Sequence, residues 1–351
     1  MRQPLLRIDE IASQAIASLE SLGATAAWKK AVESTLAVHQ SPKHQLRAQL
    51  VLLGSMAGGG SPSGVHIEQF AAGVELLHLF MLVLDDVMDN ATLRRNKPAL
   101  RISLQQAEPS SGWQTARDLA TVVASTLSMV AVQKMTPPAD APAGMSKAFH
   151  IMLNACVRAG AGQFQDLLGF KAISGGEAGL RSAVLDKTAH HSFAAPFAAG
   201  LVIANPNAST ESAMTWGEHI GVAFQTTDDL TDLLSPATLT GKDALQDLLL
   251  GRPSLPLLLL RERLNEDDLA FVDSIVGKQV VAVGERGALL RIIEQSGIAS
   301  ACAERIRTEI AAAAKVADLA GFPSAAREGM KVFEDNLLVY ANKVIAESAS
   351  S

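Results

Sequence analysis

A chain of 351 residues, 48% of them hydrophobic, can bury one large core or two ordinary ones. Its formal net charge of −6, its single tyrosine and the lack of a long basic block argue against a nucleic-acid surface and towards small-molecule partners. Cys156 and Cys302 stand in no metal or redox spacing, so the sequence predicts buried free thiols rather than a disulfide framework or a zinc site.

Alanine and leucine abound and the helical period recurs, which predicts an all-α chain. Arg2 precedes Leu5 and Leu6, but Asp9 and Glu10 arrive before a signal-length apolar stretch forms. Breakers follow at residues 58–64, 108–112, 137–142 and 174–176 and around Pro206, and the segments between them are mostly helix-length. Residues 67–89 predict a buried helix ending in Asp85, Asp86 and Asp89. Residues 212–234 predict another, ending in Asp228, Asp229 and Asp232, with Gly217 and Gly221 one turn apart to admit a close neighbour. Residues 234–256 mix Pro, Gly and Thr with charge and predict a long functional loop, a lid or rim rather than core. Residues 270–351 read as helical, with Arg305, Arg307 and Lys315 on solvated faces. The apolar runs at 79–84 and 255–260 fall short of the roughly 20 residues of a membrane span, which predicts a soluble cytoplasmic protein. No break resembles an interdomain linker. The expectation is one domain over residues 1–351, a bundle of about ten or more helices around a central cavity.

The acidic clusters carry the chemistry. On a helix, Asp85 and Asp89 stack at i and i+4, as do Asp228 and Asp232, and like charges so placed repel. Carboxylates grouped behind apolar runs are costly unless cations neutralise them. Magnesium prefers oxygen donors and is commonly shared between a few carboxylates and a diphosphate, so the clusters suit a diphosphate leaving group. Diphosphate oxygens not on metal need cationic donors, and Arg94, Arg95, Lys187 with the Thr188 hydroxyl, and Lys242 can supply them. Read alone, Arg94-Arg95 and Lys187-Thr188 are also compatible with solvated surface pairs.

The ordered set resembles the polyprenyl synthetase family, the head-to-tail trans-prenyltransferases, over roughly residues 40–260. It comprises Glu75-Leu76-Leu77-His78, the first Asp-Asp-x-x-Asp, Arg94-Arg95, Lys187-Thr188, Phe224-Gln225-x-x-Asp228-Asp229, and the stretch from Gly241-Lys242 to Leu255-Pro256. The resemblance implies an isoprenoid synthase fold in which Asp85, Asp86, Asp89 and Asp228, supported by Asp229 and Asp232, bind three Mg²⁺ around an allylic diphosphate. Arg94, Lys187 and Lys242 would hold that diphosphate, and Thr188 and Gln225 would line the reacting end. Ionisation would leave an allylic carbocation for the alkene of isopentenyl diphosphate, with proton loss to pyrophosphate and no side-chain nucleophile. For the second diphosphate the family uses a Gly-Lys-Arg-x-Arg-Pro segment, a His before the first motif and the second Arg after it. Arg47, His78 and Arg95 fit. His44 stands where the family has Lys, Gln45 where it has Arg and Ala48 where it has Pro, and Lys43 can substitute through a one-residue slip.

Product length follows from the same helix. Met81 and Phe80, four and five residues before Asp85, lie about one turn, roughly 5.4 Å, deeper along the path of a growing chain. In the family an aromatic at Phe80 without one at Met81 implies a floor at intermediate length, typically geranylgeranyl diphosphate, with Leu77 as the next gate. Simple core packing of Phe80 is the alternative. The resemblance also implies a homodimer. Two other activities stay open: a class I terpene cyclase on the same fold, favoured by the altered 43–47 segment, and a non-catalytic subunit of a partner prenyltransferase, disfavoured by the six retained aspartates.

Overall fold

The computed structural model describes residues 1–23, 25–41, 45–234, 245–278 and 281–348; Lys43, His44 and Lys242 lie outside them. The architecture is all-α, with one two-residue hairpin. In chain order come α1 (Arg2–Ser18), α2 (Ala26–His39), α3 (Leu46–Ala57), α4 (Val65–Met88), β1 (Leu93–Arg94), β2 (Lys97–Pro98), α5 (Leu100–Ala107), α6 (Gly112–Met135), α7 (Gly144–Leu168) and α8 (Gly176–Val184). A π-helical segment, Leu185–Ala194, leads directly into α9 (Ala195–Ala204). Then follow α10 (Glu211–Leu234), α11 (Gln246–Leu250), α12 (Leu255–Arg263), α13 (Glu266–Ile275), α14 (Val283–Gln295), α15 (Ile298–Leu319) and α16 (Ser324–Ser348). The breaks at 58–64, 108–112, 137–142 and 174–176 and around Pro206 fall between helices or at a helix's first residue.

The described residues gather into two compact units, one of Met1–Met152 with Pro196–Ala208, the other of Leu153–Ala195 with 209–234 and the described residues from 245 onward. In the first unit α4 packs along α6, flanked by α1 and α3, because nearly every face of α4 is apolar. Helices α4 and α6 are long and apolar enough, by length and composition, to cross a membrane, and 67% of the apolar window of α4 is buried within the protein, as in a core helix. Neither is a clear membrane span: Glu68, Glu75 and His78 interrupt the apolar run of α4, and Arg117, Asp118 and Lys134 interrupt that of α6.

In the second unit α10 is central, packed on the π segment, α15 and α16. This answers where the C-terminal third goes: two of its long helices flank the second acidic motif. Residues 245–256 are in part core, although Asp247, Arg252 and Pro253 line a cleft. Leu245, Leu248, Arg252, Ser254 and Pro256 are buried, and the leucines join Leu230, Leu233, Leu260, Val272 and Ile275 in one apolar cluster. Leucine spacing outweighs the Gly and Pro punctuation that suggested a loop. Cys302 is buried and Cys156 half-buried, both as free thiols, and burial pushes each up to about 12.

Candidate active site

In the first unit, α4 delivers Asp85 and Asp86 in its last turn, and Asp89 is its C-cap. The helix stops because Asn90 adopts a left-handed conformation (φ 54°), and the Ala91 N–H then donates to the Asp86 carbonyl at 3.0 Å, a Schellman closure with Asn in the glycine position. Negative charge at a helix C-terminus opposes the macrodipole by about 0.3–1 kcal/mol per group, so this end calls for cations.

A hairpin supplies one. Leu93 pairs with Pro98 and Arg94 with Lys97, and the turn residues Arg95 and Asn96 both have positive φ (53° and 59°), as a two-residue type I′ turn requires. The adjacent arginines therefore diverge. Arg94 Nε donates to Asp86 Oδ1 at 2.9 Å, its Nη2 also reaches Asp86, and Asp85 Oδ2 lies 3.7 Å from that Nη2. Arg94 and Asp86 are both buried. Arg95 turns the other way and donates from Nη1 to the Val38 carbonyl at 3.1 Å. Burial holds its guanidinium below the ordinary value, opposed by Glu75 and reinforced by Arg94.

Glu75, buried on α4, accepts the Ala48 N–H through Oε1 at 2.9 Å and so caps α3, the helix carrying Arg47. From Glu75 to the C-cap of α4 the half-buried positions are His78, Phe80, Met81, Leu82, Leu84, Asp85, Met88 and Asp89, whereas Leu77 is buried. The face that carries Asp85 and Asp89 is thus half-buried below them at Met81 and His78, and Phe80 lies about 140° round the helix from Asp85.

In the second unit Gln225, Asp228, Asp229 and Asp232 lie on α10. Gln225 Nε2 donates to Asp229 Oδ1 at 2.6 Å. Asp232 accepts the Gln246 and Asp247 N–H groups at 3.2 and 3.0 Å, capping α11. Lys187 and Thr188 lie on the π segment, whose wider turn is common at functional sites. Lys187 Nζ is 2.7 Å from Asp166 Oδ2, an ion pair outside hydrogen-bond alignment, and Arg252 Nε lies 3.6 Å from the same oxygen. The close approach of α7 to the π segment depends on Gly162, where an added Cβ would fall 2.3 Å from the Lys187 nitrogen. At Gly221 an added Cβ would meet Ala189 Cβ at 2.4 Å, and at Gly217 it would meet Ala194, so both glycines admit the neighbour expected of them.

These groups line a cleft of about 420 Å³, counting space open to solvent, among them Asp166, Lys187, Thr188, Gln225, Asp229 and Arg252. Burial, with Asp228 and Asp166 adding to it, pushes Asp229 up to about 8 against the pull of Gln225 and Lys187. Burial, with Asp232 and Asp229 adding to it, raises Asp247 well above the carboxylate range. Carboxylates held this way are short of positive charge. Among the described residues no three Asp, Glu, His or Cys side chains form a ready-made ion cage. Hard carboxylate oxygens in ones and twos, with coordination positions left over, nevertheless fit Mg²⁺, which keeps water and phosphate oxygens in its shell.

Asp166, Arg252 and Asp247 were not singled out as site residues from sequence. The one signal for Asp166 was Gly162-Gln163-x-x-Asp166, a glycine and an acid one turn apart on a helix.

A profile of the polyprenyl synthetase family matches residues 30–293. This chain belongs to the polyprenyl synthetase family. It is 30% identical to the geranylgeranyl diphosphate synthase of Mycobacterium tuberculosis, over 81% of this chain and 78% of that one. It is 29% identical to the short chain isoprenyl diphosphate synthase of Methanothermobacter thermautotrophicus, over 66% and 67%. Among solved structures, the geranylgeranyl pyrophosphate synthase of Corynebacterium glutamicum, complexed with isoprenyl diphosphate and magnesium, superposes with a TM-score of 0.78 at 21% identity, covering 95% of this chain and 98% of that one. The polyprenyl synthetase is therefore a trans-prenyltransferase with the all-α isoprenoid synthase fold.

Proposed function

We propose that the protein is a Mg²⁺-dependent synthase that condenses isopentenyl diphosphate with an allylic diphosphate and releases a C15–C20 product, chiefly geranylgeranyl diphosphate. The observation that carries this reading is the half-buried end of α4, where Met81 lies one turn below half-buried Asp85 and half-buried Phe80 lies beside Met81, one residue further round the helix. Simple core packing would bury Phe80 as it buries Phe70. Family membership and the retained aspartates support the same reading. We assign the allylic diphosphate and its ions to Asp85, Asp86, Asp89, Asp228, Asp229 and Asp232, all within one domain over residues 1–351.

Bound magnesium would supply Lewis-acid neutralisation of the departing diphosphate. The chain's own residues do the rest. Lys187 and Arg94, with Lys242, set fixed positive charge beside the leaving group, where preorganised cations are worth most. Gln225 and Thr188 orient the reacting end. The apolar side chains of α4 exclude water from the carbocation and leave space for the growing chain. Arg47, His78 and Arg95, with Lys43 and His44, serve the isopentenyl diphosphate. The proton leaves with pyrophosphate, so no side-chain base is needed. A homodimer accords with Val157, Phe164 and Leu168, large apolar residues exposed along α7, and a cytoplasmic location with the substrates' charge.

The test is turnover of labelled isopentenyl diphosphate with Mg²⁺ and dimethylallyl, geranyl or farnesyl diphosphate offered separately. Labelled geranylgeranyl diphosphate is expected from farnesyl diphosphate, and its absence with every primer refutes elongation. The Gln45 side chain, which donates to Asp9 rather than offering positive charge, favours a class I cyclase as second reading. Hydrocarbon or alcohol products without incorporation of isopentenyl diphosphate would establish that alternative.

A further inference from the structure

Resting on the condensation reading, we infer that Asp9 is a positioning residue for the isopentenyl diphosphate site, setting the start of α3 from which Arg47 would act. Asp9 lies on α1, and among the described residues its Oδ1 meets His39 Nε2 at 3.2 Å and Gln45 Nε2, which donates at 3.0 Å. His39 is the last residue of α2 and is buried, and Gln45 is the N-cap of α3. One carboxylate oxygen therefore ties together the end of one helix and the beginning of the next.

The backbone at Gln45 is left-handed (φ 48°, ψ 45°), a conformation that a residue with a Cβ holds only where its surroundings over-determine it. A second restraint follows within the first turn of α3, where the Ala48 N–H donates to buried Glu75. Position 48 is proline in the family, and proline has no N–H to give. Of the three positions at which this segment departs from the family pattern, His44, Gln45 and Ala48, the two that are described each meet an acid. Gln45 replaces a cation and turns to Asp9; Ala48 replaces proline and turns to Glu75. A covalent restraint at the helix start is exchanged for two hydrogen bonds. Arg95 joins the same assembly through Val38, one residue before His39. Asp9 therefore fixes the frame in which Arg47 and Arg95 stand, and it does so from a helix that carries none of the family motifs.

Steady-state kinetics of Asp9→Ala, Asp9→Asn and Gln45→Ala test this, with isopentenyl and farnesyl diphosphates varied in turn at saturating Mg²⁺. Asp9→Ala is expected to raise KM for isopentenyl diphosphate about tenfold or more, since misplacing a cation by an ångström is costly. KM for farnesyl diphosphate should stay within about twofold and kcat within about threefold. Asp9→Asn keeps an acceptor for Gln45 and should recover most of the loss. Equal rises in both KM values, a fall in kcat alone, or wild-type kinetics overturn the role of Asp9. Should Asp9→Ala lose its cooperative melt, Gln45→Ala decides, and an unmoved KM for isopentenyl diphosphate in that variant overturns the inference. Wild-type protein that elongates no primer refutes the condensation reading itself, whereas wild-type turnover with unmoved variants refutes only this step.

Discussion

Asp166→Ala removes the carboxylate that faces both Lys187 and Arg252. Asp166 and Arg252 side chains are 8% and 9% exposed, while Lys187 keeps 30% of its side chain accessible. Taking one partner from a buried ion pair costs roughly 3–5 kcal/mol where the other charge is left uncompensated, and Lys187 keeps its attraction to Asp229 and Asp247. The partial exposure of Lys187 puts the expectation near the lower end, at about 3 kcal/mol. An unfolding entropy of about 2.1 cal/mol/K per residue gives this chain of 351 residues about 0.74 kcal/mol/K, so the melting midpoint should fall by about 4 °C if the chain unfolds as one. Lys187 also loses its anchor, and a misplaced cation beside a leaving diphosphate should lower kcat about tenfold to hundredfold. Asp166→Asn preserves shape but not charge and should behave alike. Arg158→Ala, which removes an exposed pair with Asp186, is the control, expected within about 0.5 kcal/mol of wild type. Differential scanning calorimetry and steady-state kinetics read both quantities. An Asp166→Ala protein that melts with wild type, or that retains full kcat, refutes the claim that this carboxylate orients Lys187.

Phe80→Ala should extend the product beyond C20, seen as longer alcohols after dephosphorylation and chromatography, and an unchanged distribution removes the floor. Gly162→Ala places a Cβ 2.3 Å from the Lys187 nitrogen and 2.6 Å from its Cα. Backbone has to move, so the variant should lose at least about 3 kcal/mol and most activity, read by urea unfolding and turnover. His190 donates to Glu218 and so holds that carboxylate below its ordinary 4.5, against the opposing effect of burial. A depressed carboxylate contributes stability above its unfolded pKa and loses it as the pH falls through the folded one. The stability gap between wild type and Glu218→Gln should accordingly be full at neutral pH and close below 4.5; a gap that widens on acidification contradicts the pairing.

Much of the site was legible because its signals are local. The Asp-x-x-x-Asp spacing fixes which carboxylates share a helix face, and the glycines at 217 and 221 announce a close neighbour before the neighbour is known. What sequence left unread depends on pairs distant along the chain. Asp166 meets Lys187 from a different helix, and no local signal in Leu185–Ala194 marks that segment as π-helical. The stretch from 245 to 256 misled for the opposite reason: its Gly and Pro are visible locally, while the apolar cluster that buries its leucines is assembled from helices far along the chain.

The two acidic motifs look alike in sequence yet are neutralised by different means. Asp86 takes its cation from Arg94, eight residues on, through a hairpin whose geometry is encoded by its own two turn residues. Asp229 has Gln225 one turn away but draws its positive charge from Lys187, on a separate helix. Loss of tertiary packing should therefore spare the first motif's charge balance longer than the second's. The second motif is also where burial raises Asp229 to about 8 and Asp247 well above its usual range. The same burial makes an arriving cation worth most there, since it removes a desolvation cost that the chain alone leaves standing. On this reasoning the second motif gains more from metal than the first, whose Asp86 already has a guanidinium.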